Sequence, residues 1–198
     1  MIDQICVSKL TKLYDSKVVF QDMDMTIPTG ETICIMAPSG AGKTTLLRIL
    51  MGLEQADSGS ITGVEGMRFS AVFQEERLCE NMTAVENIRL VTPSLRGPII
   101  TKEMSRLGLE TCCNQPVSEL SGGMRRRVSI LRALLAAYDM LFLDEPFKGL
   151  DDVIKRQVMA YVQEKTKGKT VLFVTHDRKE ALSLGAKIFA LSELSEKK

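Results

Sequence analysis

No apolar run in the chain approaches the roughly 20 uninterrupted residues that a bilayer-spanning helix requires. The richest, Val128 to Leu143, already carries Arg132 and Asp139. Any role at a membrane therefore has to come through another polypeptide. An excess of one charge sign is also missing: 26 Lys plus Arg stand against 25 Asp plus Glu, a net charge of +1. That balance argues against the basic footprint of a nucleic-acid binder and against a polybasic membrane arm. The cysteines Cys6, Cys34, Cys79, Cys112 and Cys113 are odd in number and include no CxxC pair. Such a set fits reduced thiols in a cytosol better than a disulfide framework or a zinc site. Met1-Ile2-Asp3-Gln4 lacks the basic and then apolar pattern of a secretory signal. Repeats and low-complexity tracts are absent, apart from the charged tail Glu196-Lys197-Lys198, which is expected to fray.

What the chain does have is 198 residues with 44% apolar content, ample for one large domain that folds without staples. Apolar and polar residues alternate from Asp22 to Ile27 and stop at Pro28-Thr29-Gly30, which predicts a half-exposed antiparallel strand in an N-terminal β layer. Thr32 to Met36 is short and continuously apolar, as in a strand buried on both faces of a parallel sheet. Phe69 to Phe73, Met140 to Leu143, Thr170 to Val174 and Lys187 to Leu191 read the same way. Helical patterns lie between most of them: Thr44 to Met51 with Gly52 as its cap, and the apolar Val128 to Ala137. The alternation predicts an α/β fold with a mainly parallel central sheet. From about residue 77 to 118 no strand is expected. Thr83-Ala84-Val85-Glu86 is a capping box, and a second short helix is expected from Thr101 to Leu107, so this stretch reads as a helical insertion in a single domain. The arginines Arg125 to Arg127 read as a solvated face, and the methionines as core filling.

Between the Thr32–Met36 strand and the following helix lies Ala37-Pro38-Ser39-Gly40-Ala41-Gly42-Lys43-Thr44, followed by Thr45. It matches the phosphate-loop pattern GxxxxGK[ST] except that alanine replaces the first glycine. Backbone N–H groups of such a loop, and of the helix N-terminus behind it, suit phosphate oxygens. Lys43 supplies a cation for the β- and γ-phosphates, and the Thr44 hydroxyl is a candidate Mg²⁺ ligand. Met140 to Leu143 runs into Asp144-Glu145, the Walker B pattern. Asp144 would then hold Mg²⁺, directly or through water, and Glu145 would face the γ-phosphate as the group that polarises attacking water.

Leu120-Ser121-Gly122-Gly123-Met124 stands before the apolar helix and upstream of Asp144. It resembles the LSGGQ signature of the ABC (ATP-binding cassette) ATPases, with Met124 for glutamine. Other positions resemble the family's pattern in the family's order. Tyr14 falls where an aromatic stacks on adenine. Gln74 matches the Q-loop glutamine, a further nucleotide and Mg²⁺ contact, Asp151 the D-loop aspartate and His176 the H-loop histidine. The segments Phe73 to Leu78 and Met82 to Ile88 look like importers of the nitrate, sulfonate and taurine group. Taken singly, Tyr14 also suits a core edge, Gln74 an ordinary loop, and His176 a structural histidine.

The resemblance implies a P-loop NTPase that uses ATP and Mg²⁺, with Glu145, His176 and Lys43 as its catalytic set. It also implies that Ser121, Gly122, Gly123 and Asp151 contact the nucleotide of a second ATPase subunit, identical or not. An integral membrane permease would be the other partner, with the chain cytoplasmic and peripheral on the inner face of the membrane, and no C-terminal regulatory domain is expected. A GTPase or small-molecule kinase is disfavoured, because no NKxD guanine-reading motif is present and LSGG has no role there. A non-transport ABC ATPase, of the cell-division or Fe–S assembly type, stays open beside the importer. Ala37, Met124, Lys148 and Gly149 depart from the family pattern, which bears on rate and dimer affinity.

Overall fold

The computed structural model describes residues 4–15, 17–38 and 40–191. Among these, five strands form one wholly parallel sheet: β3 (Thr32–Met36), β5 (Phe69–Val72), β6 (Met140–Asp144), β7 (Thr170–Thr175) and β8 (Lys187–Ala190), in the order β5-β6-β7-β3-β8. Side chains in a strand alternate between faces, and here the alternation sorts residues into two cores. Ile33, Ile35, Met140, Phe142, Leu172 and Val174 enter one cluster with α1 (Lys43–Leu50). Cys34, Leu141, Leu143, Val171 and Phe173 enter the other. Burial on both faces explains the apolar runs of the inner strands β3, β6 and β7, whereas β5 and β8, expected to be buried alike, are edge strands and only partly buried. Burial also pushes the Cys34 thiol up to about 12, which keeps it protonated and inert.

The first cluster is closed by an antiparallel sheet of β1 (Gln4–Tyr14), β2 (Lys17–Pro28) and β4 (Ser58–Thr62), in the order β2-β1-β4. In β2, Met23, Met25 and Ile27 are buried while Asp22, Asp24 and Thr26 are exposed, as the alternation demanded. Strand β4, Ser-Gly-Ser-Ile-Thr, carries no apolar alternation, and only its pairing with β1 makes it a strand. A Cβ on Gly59 would lie 2.4 Å from the Lys9 carbonyl oxygen, so a glycine lets β1 pass this close.

The second cluster is covered by α2 (Ala84–Arg89), α3 (Gly97–Ser105), α4 (Gly122–Leu135), α5 (Asp152–Thr166) and α6 (Arg178–Ser183). The capping box of α2 is complete: Glu86 N–H donates to Thr83 Oγ1 at 3.2 Å and Thr83 N–H to Glu86 Oε2 at 2.8 Å. The expected helix from Thr101 to Leu107 is displaced. It begins at Gly97 because Pro98 suits the first turn, and it ends before Gly108 turns to positive φ. The helix expected at Val128 to Ala137 instead starts at Gly122, directly after its cap Ser121, and stops at Leu135. That shift makes the three arginines helical, and the reading of them as a solvated face fails at Arg126, which is 3% exposed. Among the described residues no helix is long and apolar enough to cross a membrane.

Candidate active site

Parallel strands in register end at one level, so the loops that follow them meet. Met36 pairs with Thr175, Asp144 with Val174, and Val72 with Leu143. The next residues along, the loop after Met36, His176, Glu145 and Gln74, therefore converge at the C-terminal edge of the sheet. A cleft of about 640 Å³ opens there, lined by Tyr14, Gly40 to Thr45, Gln74, Glu145, Lys148 and His176, with Lys17, Val18 and Val19 from the start of β2. A second cleft of about 570 Å³ sits by the N-terminal ends of β3, β7 and β8, the end where such sheets do not gather their chemistry.

The loop is shaped by its glycines and its cation. Gly42 caps α1 at φ 90°, and a Cβ there would meet Val19 Cγ1 at 2.2 Å. Lys43 is 7% exposed and its ammonium donates to the carbonyls of Ala37 (2.6 Å) and Pro38 (3.0 Å). Ser39 lies outside the described residues. Tyr14 is half exposed at the rim, its hydroxyl donating to Glu54 and lying 3.5 Å from Thr45 Oγ1. The Lys12 ammonium sits 5.1 Å from the Tyr14 ring centroid and 3.4 Å from Glu54. Sequence reading missed Lys12 and Glu54, which are distant from the loop and from each other in the chain.

Thr44 Oγ1 donates to Asp144 Oδ2 at 2.6 Å. Asp144 Oδ1 is buried and has no hydrogen-bond partner. Burial raises the Asp144 carboxyl above its ordinary range against the pull of the Thr44 hydroxyl, and the charge of Glu145 adds to the rise. A cavity of about 80 Å³ is lined by Thr44, Gln74 and Asp144 together with Arg48, Phe73, Glu75 and Arg77. These oxygen donors around an orphaned carboxylate oxygen suit a hard divalent cation that takes its remaining ligands from phosphate and water.

Glu145 has φ 47°, a conformation costly for a residue with a side chain, and is 6% exposed. Its N–H donates to Val174 O at 2.9 Å, and both carboxylate oxygens lie 3.0 Å from His176 Nδ1. The imidazole is largely exposed, so a buried carboxylate and an open ring meet at the floor of the cleft. Ser121, Gly122, Gly123 and Asp151 do not line it. Ser121 and Gly122 are exposed, with Ser121 Oγ accepting from Met124 N–H at 3.3 Å, and Asp151 caps α5 by accepting from Val153 and Ile154 N–H. Lys148 enters the cleft. Arg126 stands behind the site: its guanidinium donates to the carbonyls of Phe73, Gln74, Asp144, Glu145 and Pro146. Its spacing to Ile130 and Ala133, both on the buried face of α4, was the sequence signal that it points inward.

Residues 20–148 match the family described as ABC transporter. The chain is 40% identical over 187 residues to the aliphatic sulfonates import ATP-binding protein SsuB 1 of Rhodococcus jostii, covering 91% of this chain and 76% of that protein. It is 34% identical over 201 residues to the spermidine/putrescine import ATP-binding protein PotA of Mesoplasma florum (93% of this chain, 57% of that protein). It is 35% identical over 214 residues to the sulfate/thiosulfate import ATP-binding protein CysA 1 of Agrobacterium fabrum (96% and 61%). The chain thus spans somewhat more than half the length of the last two. The dimeric structure of MJ0796, a bacterial ABC transporter cassette, superposes with a TM-score of 0.82 at 27% identity, over 94% of this chain and 93% of that one. A structure of the same cassette in a post-hydrolysis state, bound to ADP and Pi, superposes equally well at 26% identity, with the same coverage.

Proposed function

The chain belongs to the ABC transporter family, and from that premise we propose that it binds Mg²⁺-ATP and hydrolyses it as the motor subunit of an importer. The observation that carries this reading is the convergence of Lys43, Thr44, Gln74, Glu145 and His176 on one cleft, next to the orphaned Asp144 oxygen. Tyr14 offers its ring to adenine. Pro38 and Gly40 to Thr45 wrap the phosphates, with the Lys43 ammonium on the β- and γ-groups. Thr44, Gln74 and Asp144 would hold the cation, which would supply charge neutralisation on the phosphates. Glu145 orients a water and accepts its proton as the oxygen attacks the γ-phosphorus and the bond to the β–γ bridging oxygen breaks, leaving ADP and phosphate. His176 holds Glu145 and faces the γ-phosphate.

Ser121, Gly122, Gly123 and Asp151 serve the nucleotide of a second ATPase subunit, a reading supported by the dimeric cassette with the same fold. Residues 77–118 act as a helical subdomain within one ATPase domain and face an integral membrane permease, which holds the chain at the inner face of the membrane. Nucleic acid is not a partner. The import names of the relatives favour transport over cell division or Fe–S assembly. Because those names cover chemically unrelated solutes, choice of cargo belongs to the permease or a binding protein.

The Glu145→Gln variant tests the reading, because it keeps size and hydrogen bonding but cannot take a proton. ATP binding should persist while hydrolysis falls ~10²–10⁴-fold. Turnover at the parental rate would remove Glu145 from the reaction.

A further inference from the structure

Arg126 is a buried cation whose five acceptors are all backbone carbonyls and none a carboxylate. Taking a guanidinium out of water costs several kcal/mol unless its donors are met, and burial here pulls its pKa down. All three of its nitrogens donate. Nε reaches Pro146 O at 2.8 Å, Nη1 reaches Phe73 O and Gln74 O (3.2 Å), and Nη2 reaches Asp144 O (3.1 Å) and Glu145 O. Two of these carbonyls lie just past the end of β5, and the other three run from the last residue of β6 into the loop after it.

A planar fork can span two strand ends at fixed spacing, whereas a single ammonium cannot. What it spans is the backbone that aims Gln74 and Glu145. Glu145 also sits at positive φ, where a side-chain-bearing residue persists only if its surroundings over-determine it. Its N–H is fixed by Val174 and its carbonyl by Arg126.

The geometry points to Arg126 as a positioning residue for hydrolysis, one that holds the Gln74 and Glu145 backbones in mutual register from the first turns of α4. It rests on the ATPase reading above. Arg126 does not line the cleft, and its guanidinium is committed to backbone carbonyls. It acts by denying Glu145 the small rotations that misplace a reacting group, and misplacement by about 1 Å can cost on the order of 100-fold in rate. Ser121 caps the same helix one turn earlier, so whatever engages Ser121 is rigidly connected to the carbonyl of Glu145.

The test is turnover of Mg²⁺-ATP per nucleotide-binding molecule in Arg126→Lys and Arg126→Gln. The first keeps the charge without the fork, and the second removes the buried charge and so does not depend on tolerating an ammonium there. Both should lower kcat about 10- to 100-fold while KM for ATP stays within about threefold, because the loop that holds the phosphates is untouched. In the Glu145→Gln background, Arg126→Lys should add less than about a threefold loss, since the group it positions is already disabled. Parental kcat in both variants overturns the inference, as does a full multiplicative loss in the Glu145→Gln background, which marks a merely structural role. A parent chain that does not hydrolyse ATP overturns the ATPase reading and this inference with it.

Discussion

Lys43 shows at the scale of one residue how the site is prepared. Its ammonium is buried and held by two loop carbonyls, a tether that fixes the cation where the loop closes. Lys43→Ala should weaken ATP binding by ~100-fold or more, the equivalent of losing two charge-assisted hydrogen bonds, as isothermal titration would register. Affinity equal to the parent's would sink the phosphate-loop assignment. Lys43, Thr44, Asp144 and Glu145 were legible in the sequence because each follows an apolar strand at a fixed offset. Arg126 was not, because neighbouring arginines on a helix look alike until the helix start is known. Once α4 is seen to begin at Gly122, the phase puts Arg126 on the side of Ile130 and Ala133, pointing inward.

At the scale of elements, α3 is anchored to α5 by charge rather than by apolar contact alone. Glu103 accepts from the Tyr161 hydroxyl at 2.5 Å and from Lys165 at 2.9 Å, while Arg106 pairs with Glu164 at 2.7 Å and its carbonyl accepts from Gln157. Burial works to raise the Glu103 carboxyl, but Tyr161 and Lys165 outweigh it and hold it below its ordinary value. A depressed folded value means the anchor stabilises fully above the unfolded value and loses its effect as pH falls through the folded one. Glu103→Gln should lower Tm at neutral pH by roughly 2–6 °C, and it should flatten the loss of Tm on acidification below about pH 5. A variant whose Tm falls with pH as steeply as the parent's would show that Glu103 carries none of that dependence. None of this pairing could be read in advance, since Glu103 and Tyr161 meet only once α3 starts at Gly97 and packs beside α5.

At the scale of the whole molecule, the two helix starts proposed above to meet phosphate do not share a cleft. Gly42 opens α1 inside it, and Ser121 opens α4 outside it on the exposed surface. Two such ends on separate faces suit a pair of chains, each completing the other's site. Ser121→Arg, made in the Glu145→Gln background, should bind ATP nearly as well as its parent yet fail to form the ATP-dependent dimer by size exclusion. The lost cap itself costs only about 1 kcal/mol. Undiminished dimerisation would refute the shared site.

The sequence by itself determined the parallel core, the phosphate loop and the acidic strand end, because short-range rules govern them: strand alternation, helix phase and glycine at the phosphate loop. Tertiary structure alone decided that Ser58–Thr62 becomes a strand, that Tyr14 is braced by Glu54 and Lys12, and that Arg126 joins two strand ends. Those outcomes depend on carbonyls and edges contributed by segments far apart in the chain. A polar stretch or a buried cation has no local pattern that names its partner; only the register of neighbouring strands brings the acceptors within reach.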